Sequence, residues 1–216
     1  YGHLKFHNTP MVIAVIGAGT MGSGIAQVAA QAGHDVVLYD TRREVVDKAL
    51  ATLRKTLDKL VEKGKLAKEQ ADGIHGRLAP ASDLKELAGS GLVIEAIIED
   101  LGIKKMLFAD LEGILSADAV LATNTSSLSV TAIAAACGMP ERVIGLHFFN
   151  PAPLLPLVEV VPGLATEPAL GTRMVELMKA WGKVPVLCKD TPGFIVNRVA
   201  RPFYGEALRI HEEGIA

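Results

Sequence analysis

Aromatic residues are scarce in this chain and make up 5% of its 216 positions, although 50% of the residues are hydrophobic. Its core must therefore be aliphatic, built from valine, isoleucine, leucine and alanine. An excess of charge of one sign is also missing, since the formal net charge is −2 and lysine and arginine are spread along the chain. This balance argues against a protein that neutralises a nucleic-acid backbone, so no nucleic-acid partner is expected.

Cysteine and long apolar runs are scarce as well. The two cysteines, Cys137 and Cys188, could pair, but buried reduced thiols are the commoner arrangement in an aliphatic α/β domain. No apolar run reaches the roughly 18 residues of a membrane-spanning helix, so no membrane partner is expected. Residues 1–10 lack the charged and apolar regions of a signal peptide and are interpreted as an extension or a cloning remnant. We expect a cytoplasmic protein.

Short apolar segments alternate with helical patterns along the rest of the chain. The predicted strands cover residues 11–16, 35–39, 92–98, 120–123, 143–147, 157–161 and 184–187. The predicted helices cover residues 20–32, 42–63, 104–115, 168–181 and 194–213. Continuously apolar strands separated by helices are typical of a mostly parallel sheet covered by helices on both faces. The fold class predicted here is therefore α/β, of the Rossmann type.

The character of the chain changes near Asp190. The segment Thr191-Pro192-Gly193 predicts a helix N-terminus with proline in the first turn, and the long predicted helix follows it. We therefore predict a dinucleotide-binding domain over residues 11–190. Residues 191–216 are interpreted as the start of a truncated C-terminal helical domain, and such a fragment is expected to be poorly active.

A glycine-rich turn follows the first predicted strand. The segment Gly17-Ala18-Gly19-Thr20-Met21-Gly22 matches the G-x-G-x-x-G pattern and opens a predicted helix, which makes an otherwise weak motif specific. Gly17 permits the tight turn, Gly19 lets the backbone approach a pyrophosphate, and Gly22 lets helix and strand pack closely. The helix N-terminus offers N–H groups and partial positive charge to the phosphates. The pattern predicts a dinucleotide site.

Asp40, at the end of the second predicted strand, indicates which dinucleotide is bound. Its carboxylate should accept hydrogen bonds from the adenine ribose hydroxyls of NAD and repel the 2′-phosphate of NADP. Arg42 and Arg43 follow closely and could neutralise such a phosphate, so NADP stays an alternative. No Gly-Lys-Ser/Thr ending follows the glycine turn, so a Walker-type nucleotide triphosphatase is not supported.

Polar motifs lie at the ends of the later predicted strands. They are Asn124-Thr125-Ser126-Ser127, His147-Phe148-Phe149-Asn150-Pro151, the single carboxylate Glu159 in an apolar strand, and the segment from Asp190 to Arg198. In order and spacing, these motifs and the glycine turn resemble the L-3-hydroxyacyl-CoA dehydrogenase family, from about residue 12 to the end. The segments at 151–153 and 197–202 are most similar to the bacterial enzymes of phenylacetate degradation.

The resemblance implies NAD-dependent interconversion of L-3-hydroxyacyl-CoA and 3-oxoacyl-CoA, by an enzyme that is a homodimer at full length. It places the catalytic base at His147, its partner at Glu159, and two groups that hold the substrate C3 oxygen at Ser126 and Asn197. The cofactor contacts that it implies, besides the glycine turn, are Asp40, Ala96, Glu99, Lys104, Asn124, Ser126 and Asn150. Relatives commonly carry lysine where this chain has Pro156, and this difference is expected to change the local charge or the access of the acyl chain.

The chemistry asks for these residue types independently. Oxidation of a secondary alcohol needs a base that titrates near neutral pH, as histidine does, and a carboxylate that fixes its tautomer. Each residue also has a structural interpretation: His147 as a hydrogen-bonding residue, Glu159 as an exposed edge residue, Ser126 as a helix cap and Asn197 as a surface residue. Two alternative functions remain, a 3-hydroxy-acid dehydrogenase that acts without coenzyme A and a non-enzymatic NAD-binding protein.

Lysines recur at helical spacing in the second predicted helix. Lys55 and Lys59 lie along one face with Lys63, and could bind the phosphates of coenzyme A, although such a charge run is usually a solvated face. The side chains of His34, His75 and His211 have no metal-ligand spacing among them, so no metal is expected.

Overall fold

The computed structural model describes residues 11–215, which form one eight-stranded sheet with helices packed on it. The strands are β1 Val12–Ile16, β2 Asp35–Tyr39, β3 Leu78–Pro80, β4 Leu92–Glu95, β5 Val120–Thr123, β6 Val143–Phe148, β7 Leu157–Pro162 and β8 Val184–Leu187. Their order across the sheet is β3-β2-β1-β4-β5-β6-β7-β8. Neighbouring strands are parallel except β6 and β7, which are antiparallel. The predicted Rossmann-type sheet is confirmed; residues 1–10 lie outside the described part.

Most helices run between successive strands, and α7 follows β8. They are α1 Thr20–Gln31, α2 Arg43–Glu62, α3 Lys68–Gly76, α4 Leu101–Ile114, α5 Val130–Ala134, α6 Pro168–Ala180 and α7 Val196–Glu212, with short 3-10 helices at Leu84–Leu87 and Pro140–Arg142. Strand order reverses between β1 and β4, so the loops after these two strands diverge and leave a crevice. Ligands of open α/β sheets bind in such a crevice at the carboxyl ends of the strands.

The core lies on both faces of the sheet and is aliphatic, as the composition predicts. Alternate residues of β1 point to opposite faces: Ile13 and Val15 belong to one buried cluster, and Ala14 and Ile16 to the other. Because both faces are covered, each residue of such a strand must be apolar, which explains the continuous hydrophobic runs.

Three sequence predictions are corrected by the structure. The strand predicted over 92–98 ends at Glu95, because Glu95 turns its carboxylate to a buried lysine and the chain leaves the sheet. The cap predicted at Thr191 is wrong: Gly193 and Phe194 take positive φ angles of 76° and 47°, so α7 begins only at Val196. The helix predicted from residue 104 begins at Leu101, where the Asp100 side chain accepts a hydrogen bond from the backbone N–H of Ile103.

Both cysteines are free thiols. Burial is the main reason why the pKa of Cys188 rises to about 12 and that of Cys137 to about 11, so both stay protonated near neutral pH.

Within residues 11–215, no helix is long and apolar enough to cross a membrane. The same part of the chain contains no group of His, Cys, Asp or Glu side chains arranged to hold a metal ion.

Candidate functional site

The turn between β1 and α1 has the geometry of a dinucleotide cradle. A Cβ atom on Gly22 would lie 1.7 Å from the carbonyl oxygen of Gly17, so helix and turn can approach only if this residue is glycine. A Cβ on Gly17, whose φ is +98°, would lie 2.6 Å from the carbonyl oxygen of Ala96. A Cβ on Gly19 would meet nothing within 4 Å, so its backbone is open to an approaching phosphate.

A cavity of about 780 Å³ opens beside this turn, at the crevice where the strand order reverses. Its polar side is lined by Gly17, Gly19, Thr20 and Asp40, all predicted cofactor contacts, together with Met21 and Ala96 from the same set. The opposite side is apolar and was not predicted, since it comes from the loop after β4 and the first turns of α4: Ile97, Ile98, Ile103, Met106 and Leu107. An apolar slot beside a carboxylate fits an adenine base and its ribose.

Asp40 is held at the mouth of this cavity by the backbone. Its Oδ2 accepts a hydrogen bond from the N–H of Ala18 at 2.9 Å, and its Oδ1 accepts one from the N–H of Arg42 at 3.2 Å. Arg43 is engaged elsewhere, with Asp47 at 2.8 Å and Ser82 at 2.6 Å. Of the two arginines that supported the NADP alternative, therefore, Arg42 alone lines the cavity.

The histidine and glutamate predicted to form a catalytic pair lie opposite each other on β6 and β7. Nδ1 of His147 is 2.7 Å from Oε2 of Glu159, and Glu159 is 1% exposed, so it is not an exposed edge residue. Because a carboxylate only accepts hydrogen bonds, Nδ1 carries the hydrogen and Nε2 of the neutral ring keeps its lone pair. The ring packs against Phe149 and Phe194, with centroids 4.4 and 5.8 Å away.

Glu159 has a second set of partners that sequence reasoning missed. Its Oε1 accepts hydrogen bonds from the backbone N–H groups of Ile195 and Val196, each at 2.9 Å. These are the first N–H groups of α7, a helix that has no side-chain cap of its own. A carboxylate stabilises a helix N-terminus, so Glu159 was a possible partner for the start of α7. No sequence pattern, however, links Glu159 to residues 195 and 196, which lie more than thirty positions later.

Ser126 and Asn197 are brought together. Nδ2 of Asn197 donates to the carbonyl oxygen of Ser126 at 3.0 Å, and Asn197 is half-buried, so it is not a plain surface residue. The helix-cap interpretation of Ser126 is wrong, because α5 is capped by Ser129, whose hydroxyl accepts from the N–H of Ala132 at 3.2 Å.

Glu99 holds the loop that carries Ser126. Its Oε1 accepts from the backbone N–H of Ser126 at 2.8 Å, from the Ser126 hydroxyl at 3.1 Å and from the Thr125 hydroxyl at 2.6 Å. Burial by itself would raise the pKa of Glu99, but these hydrogen bonds and the charge of Lys104 outweigh it and leave the pKa lowered. Glu99 is therefore an ionised anchor for the loop.

The other predicted contacts are spread more widely. Oδ1 of Asn124 accepts from the backbone N–H of Phe148 at 2.8 Å and ties the end of β5 to the end of β6, and Asn150 is exposed just beyond β6. Lys104 is 1% exposed and does not line the cavity. Lys55 and Lys59 are exposed on α2, and neither lines the cavity beside Asp40. Their predicted roles with cofactor and substrate stay predictions.

Comparisons with known proteins agree with this geometry. The sequence profile of the family described as "3-hydroxyacyl-CoA dehydrogenase, NAD binding domain" matches residues 12–191. The chain belongs to this family. The match confirms the family that the sequence motifs predicted and NAD as its cofactor, and the glycine cradle and Asp40 fit that cofactor.

Two curated relatives within the 3-hydroxyacyl-CoA dehydrogenase family illustrate the similarity. The chain is 53% identical over 204 residues to the 3-hydroxyadipyl-CoA dehydrogenase of Escherichia coli (strain K12), covering 94% of this chain and 43% of that protein. It is 46% identical over 206 residues to a 3-hydroxybutyryl-CoA dehydrogenase of Clostridioides difficile, covering 95% of this chain and 73% of that protein. The chain thus spans less than half of the first relative and about three quarters of the second.

Two solved structures named as 3-hydroxybutyryl-CoA dehydrogenases have the same fold. A crystal structure of a 3-hydroxybutyryl-CoA dehydrogenase from Escherichia coli K12 superposes with a TM-score of 0.94 at 52% identity, covering 96% of this chain and 44% of that chain. A (S)-3-hydroxybutyryl-CoA dehydrogenase from Ralstonia eutropha gives a TM-score of 0.92 at 37% identity, covering 96% of this chain and 74% of that chain.

Proposed function

We propose that this chain is the cofactor-binding part of an enzyme that interconverts an L-3-hydroxyacyl-CoA and its 3-oxoacyl-CoA with NAD. The observation that carries the proposal is the buried His147–Glu159 pair, with Nδ1 and Oε2 2.7 Å apart, on the sheet that also holds the dinucleotide cradle. A Rossmann fold alone does not define a reaction, whereas a histidine with one nitrogen fixed by a carboxylate is a poised general base.

NAD, when bound, supplies the acceptor for the hydride that leaves C3 of the substrate. Nε2 of His147 accepts the proton of the C3 hydroxyl, and Glu159 holds the ring in the tautomer that leaves Nε2 free to do so. The negative charge of Glu159 then stabilises the imidazolium that forms. In the reverse direction the same nitrogen returns the proton to the C3 oxygen.

Ser126 and Asn197 are proposed to hold the C3 oxygen. The Asn197 amide has two N–H groups, and the contact with the Ser126 carbonyl uses one of them, so the other can donate to substrate. The Ser126 hydroxyl lies within hydrogen-bonding distance of Glu99 and must turn from this carboxylate if it is to donate to a ketone. Neutral donors aimed at an oxygen that gains charge stabilise the transition state of ketone reduction.

The substrate class rests on the names of the relatives, which include a 3-hydroxyadipyl-CoA and several 3-hydroxybutyryl-CoA dehydrogenases. We propose a place in fatty-acid β-oxidation or in phenylacetate-type degradation, with Lys55 and Lys59 as candidate contacts of the coenzyme A phosphates. A cytoplasmic homodimer is proposed for the full-length protein. The free thiols Cys137 and Cys188 fit a reducing compartment.

The test is a steady-state assay of the full-length protein with NAD and a panel of substrates. We expect turnover of L-3-hydroxyacyl-CoA, little turnover of the D isomer, and little turnover of the free 3-hydroxy acids. A preference for a free acid over its coenzyme A thioester would favour the alternative class that acts without coenzyme A. Binding of NADH without turnover of any of these substrates would favour a non-enzymatic NAD-binding protein.

A further inference from the structure

A buried ion pair lies beneath the candidate site, between the ends of β4 and β5 and the first turns of α4. Glu95 is 0% exposed and Lys104 is 1% exposed, and Nζ of Lys104 lies 2.5 Å from Oε1 of Glu95. The same carboxylate accepts hydrogen bonds from the hydroxyl of Thr123 and the backbone N–H of Ile97, each at 2.7 Å. The proton-transfer chemistry proposed above uses none of these groups.

The pair is connected to the loop that carries Ser126 by two routes. Nζ of Lys104 is also 3.4 Å from Oε2 of Glu99, whose other oxygen accepts the loop N–H and hydroxyl groups. On the second route, the hydroxyl of Thr123 accepts from the backbone N–H of Thr125 at 3.2 Å. Glu95 is therefore the point from which both supports of the loop begin.

Stability alone is a poor explanation for this arrangement. Two charges removed from water lose much of their hydration energy, and apolar residues of similar volume often replace a buried pair without loss of stability. What the ion pair does supply is a fixed position. Glu95 holds the ammonium of Lys104 near Glu99, where its positive charge favours the ionised carboxylate. Glu95 also holds the hydroxyl of Thr123, which accepts the backbone N–H of Thr125.

We propose that Glu95 and Lys104 are positioning residues that hold Glu99, and through it Ser126, for the nicotinamide end of the cofactor. The proposal rests on the function proposed above. Lys104 then affects the cofactor through Glu99, because its ammonium faces the two carboxylates and its side chain is 1% exposed. The adenosine end should be independent, since Glu95, Lys104 and Glu99 are absent from the lining of the cavity beside Asp40.

The decisive variant is the double substitution Glu95→Gln with Lys104→Met, made in the full-length protein. Lys104→Met alone would leave the buried carboxylate of Glu95 without a counter-charge, and Glu95→Gln alone would leave Lys104 only its longer contact with Glu99, whereas the double variant removes both buried charges together. Its glutamine carbonyl can still accept from the N–H of Ile97, so the wall of the adenosine cavity is kept. Lys105→Met, at the adjacent position of α4, is the matched control for loss of a lysine.

Two ligands separate the two ends of the cofactor. ADP-ribose contains the adenosine, both phosphates and the second ribose, and NADH adds the fluorescent dihydronicotinamide ring. We expect the double variant to bind ADP-ribose within about twofold of the unmodified protein and NADH at least about tenfold more weakly, a loss of about 1.4 kcal/mol. Equal weakening of both ligands would show a general structural effect and would overturn the proposal, as would unchanged binding of both.

The pH dependence of NADH binding gives a second readout. Groups facing Glu99 from the neighbouring elements are Thr125, Ser126 and Ser127 on the loop and the ammonium of Lys104 on α4. The pKa of Glu99 is lowered, so its support of the loop is present above the ordinary carboxyl range and is lost as pH falls through the lowered value. Without Lys104 that loss should occur at a higher pH. If NADH binding is lost at the same low pH in the double variant and in the unmodified protein, Lys104 does not act through Glu99.

A milder variant keeps the test decisive if the double variant does not fold. Thr123→Val removes only the hydroxyl between Glu95 and Thr125, and NADH binding should weaken by about two- to threefold while ADP-ribose binding stays the same. No selective effect in this variant would overturn the proposal. Failure of the unmodified protein to bind NADH would instead refute the proposed function.

Discussion

At the scale of single residues, Glu159 combines two tasks in one carboxylate. Oε2 fixes the ring of His147, and Oε1 receives the first N–H groups of α7. The side chain is 1% exposed, so water cannot replace either set of contacts. The orientation of the candidate base and the attachment of α7 therefore depend on the same group.

Replacement of the candidate base should abolish most of the turnover without affecting the cofactor. His147→Gln in the full-length enzyme should lower kcat by at least about a hundredfold, the usual effect of losing a general base. NADH affinity should barely change, because the His147 ring bonds to Glu159 and neither lines the cavity beside Asp40 nor supports the Glu99 loop. Steady-state kinetics and a fluorescence titration measure the two quantities, with His75→Gln on α3 as the control. Turnover within a few-fold of the unmodified enzyme would refute the assignment.

The partner glutamate should affect both activity and stability. Glu159→Gln leaves the imidazolium without its counter-charge, so turnover should fall. The amide has one accepting oxygen, so either Nδ1–H of His147 or the N–H groups of Ile195 and Val196 lose their acceptor. Unpaired buried donors cost about 1–3 kcal/mol each, and the free energy of unfolding should fall by about that amount. Denaturant unfolding checks this, and unchanged stability would show that α7 does not depend on Glu159.

Asp40 should determine the choice between the two nicotinamide cofactors. The unmodified chain should bind NADH at least about tenfold more tightly than NADPH, a difference of about 1.4 kcal/mol, because the carboxylate repels a 2′-phosphate. Asp40→Asn should narrow that ratio, with Arg42 on the cavity wall available to the phosphate. Fluorescence titrations with both cofactors decide, and equal affinities in the unmodified chain would contradict the role of Asp40.

Residues with a local sequence signal were predictable, and residues with distant partners were not. Gly17 and Gly22 lie in one six-residue motif, and Asp40 follows the next strand, so the alternation of strand and helix was enough to place them. Glu95 is also a carboxylate in an apolar strand, but its partners come from α4 and β5, so its role depends on tertiary structure. The contact between Asn197 and Ser126 also depends on tertiary structure, because the two residues are far apart in the chain, and so it could not be predicted.

At the scale of elements, Gly22 and Gly19 in the turn from β1 to α1 are glycine for two different physical reasons. The Cβ of an alanine at Gly22 would collide with the backbone of Gly17, whereas one at Gly19 would enter open space. Packing of the helix against the turn therefore requires glycine at position 22. Glycine at position 19 is needed only if a ligand approaches the backbone there.

A pair of alanine substitutions should distinguish these reasons. Gly22→Ala should lower the melting temperature and abolish NADH binding, because the helix must move away from the turn. Gly19→Ala should leave the melting temperature nearly unchanged and still weaken NADH binding, because its methyl group occupies the space of the phosphates. Gly113→Ala, inside α4 with nothing within 4 Å, is the control and should be neutral or slightly stabilising. Normal NADH affinity in Gly19→Ala would show that no phosphate approaches there.

The long helices were predicted well, and so were four-residue strands such as β5 and β8, whereas β3, α3 and α5 were missed. The periodic patterns of α2 and α6 extend over several turns, so their positions were clear from sequence. The three-residue β3 and the five-residue α5 are too short to show a period. The start of α7 was misplaced because Thr191-Pro192-Gly193 has the composition of a cap, yet positive φ angles at Gly193 and Phe194 form a turn first.

At the scale of the whole molecule, α7 differs from the other helices because it has no buried residue. It is attached at its start, where Glu159 receives its first N–H groups and Asn197 bonds to Ser126. Beyond that start it exposes large apolar side chains, with Val199 68% exposed, Phe203 72% and Leu208 65%. A contiguous apolar face of this kind marks a surface that associates with another one.

The 216-residue chain should therefore self-associate in solution through α7. Val199 and Phe203 are four residues apart, as are Tyr204 and Leu208, and the two pairs form one broad apolar side of α7, so two such helices can bury their apolar sides against each other. Light scattering should show a mass that rises with protein concentration, and Phe203→Glu combined with Leu208→Lys should restore the monomer without changing NADH affinity. Leu164→Lys, at an apolar residue 90% exposed but on another surface, should leave association unchanged. A monomer at high concentration would show that this face stays solvated.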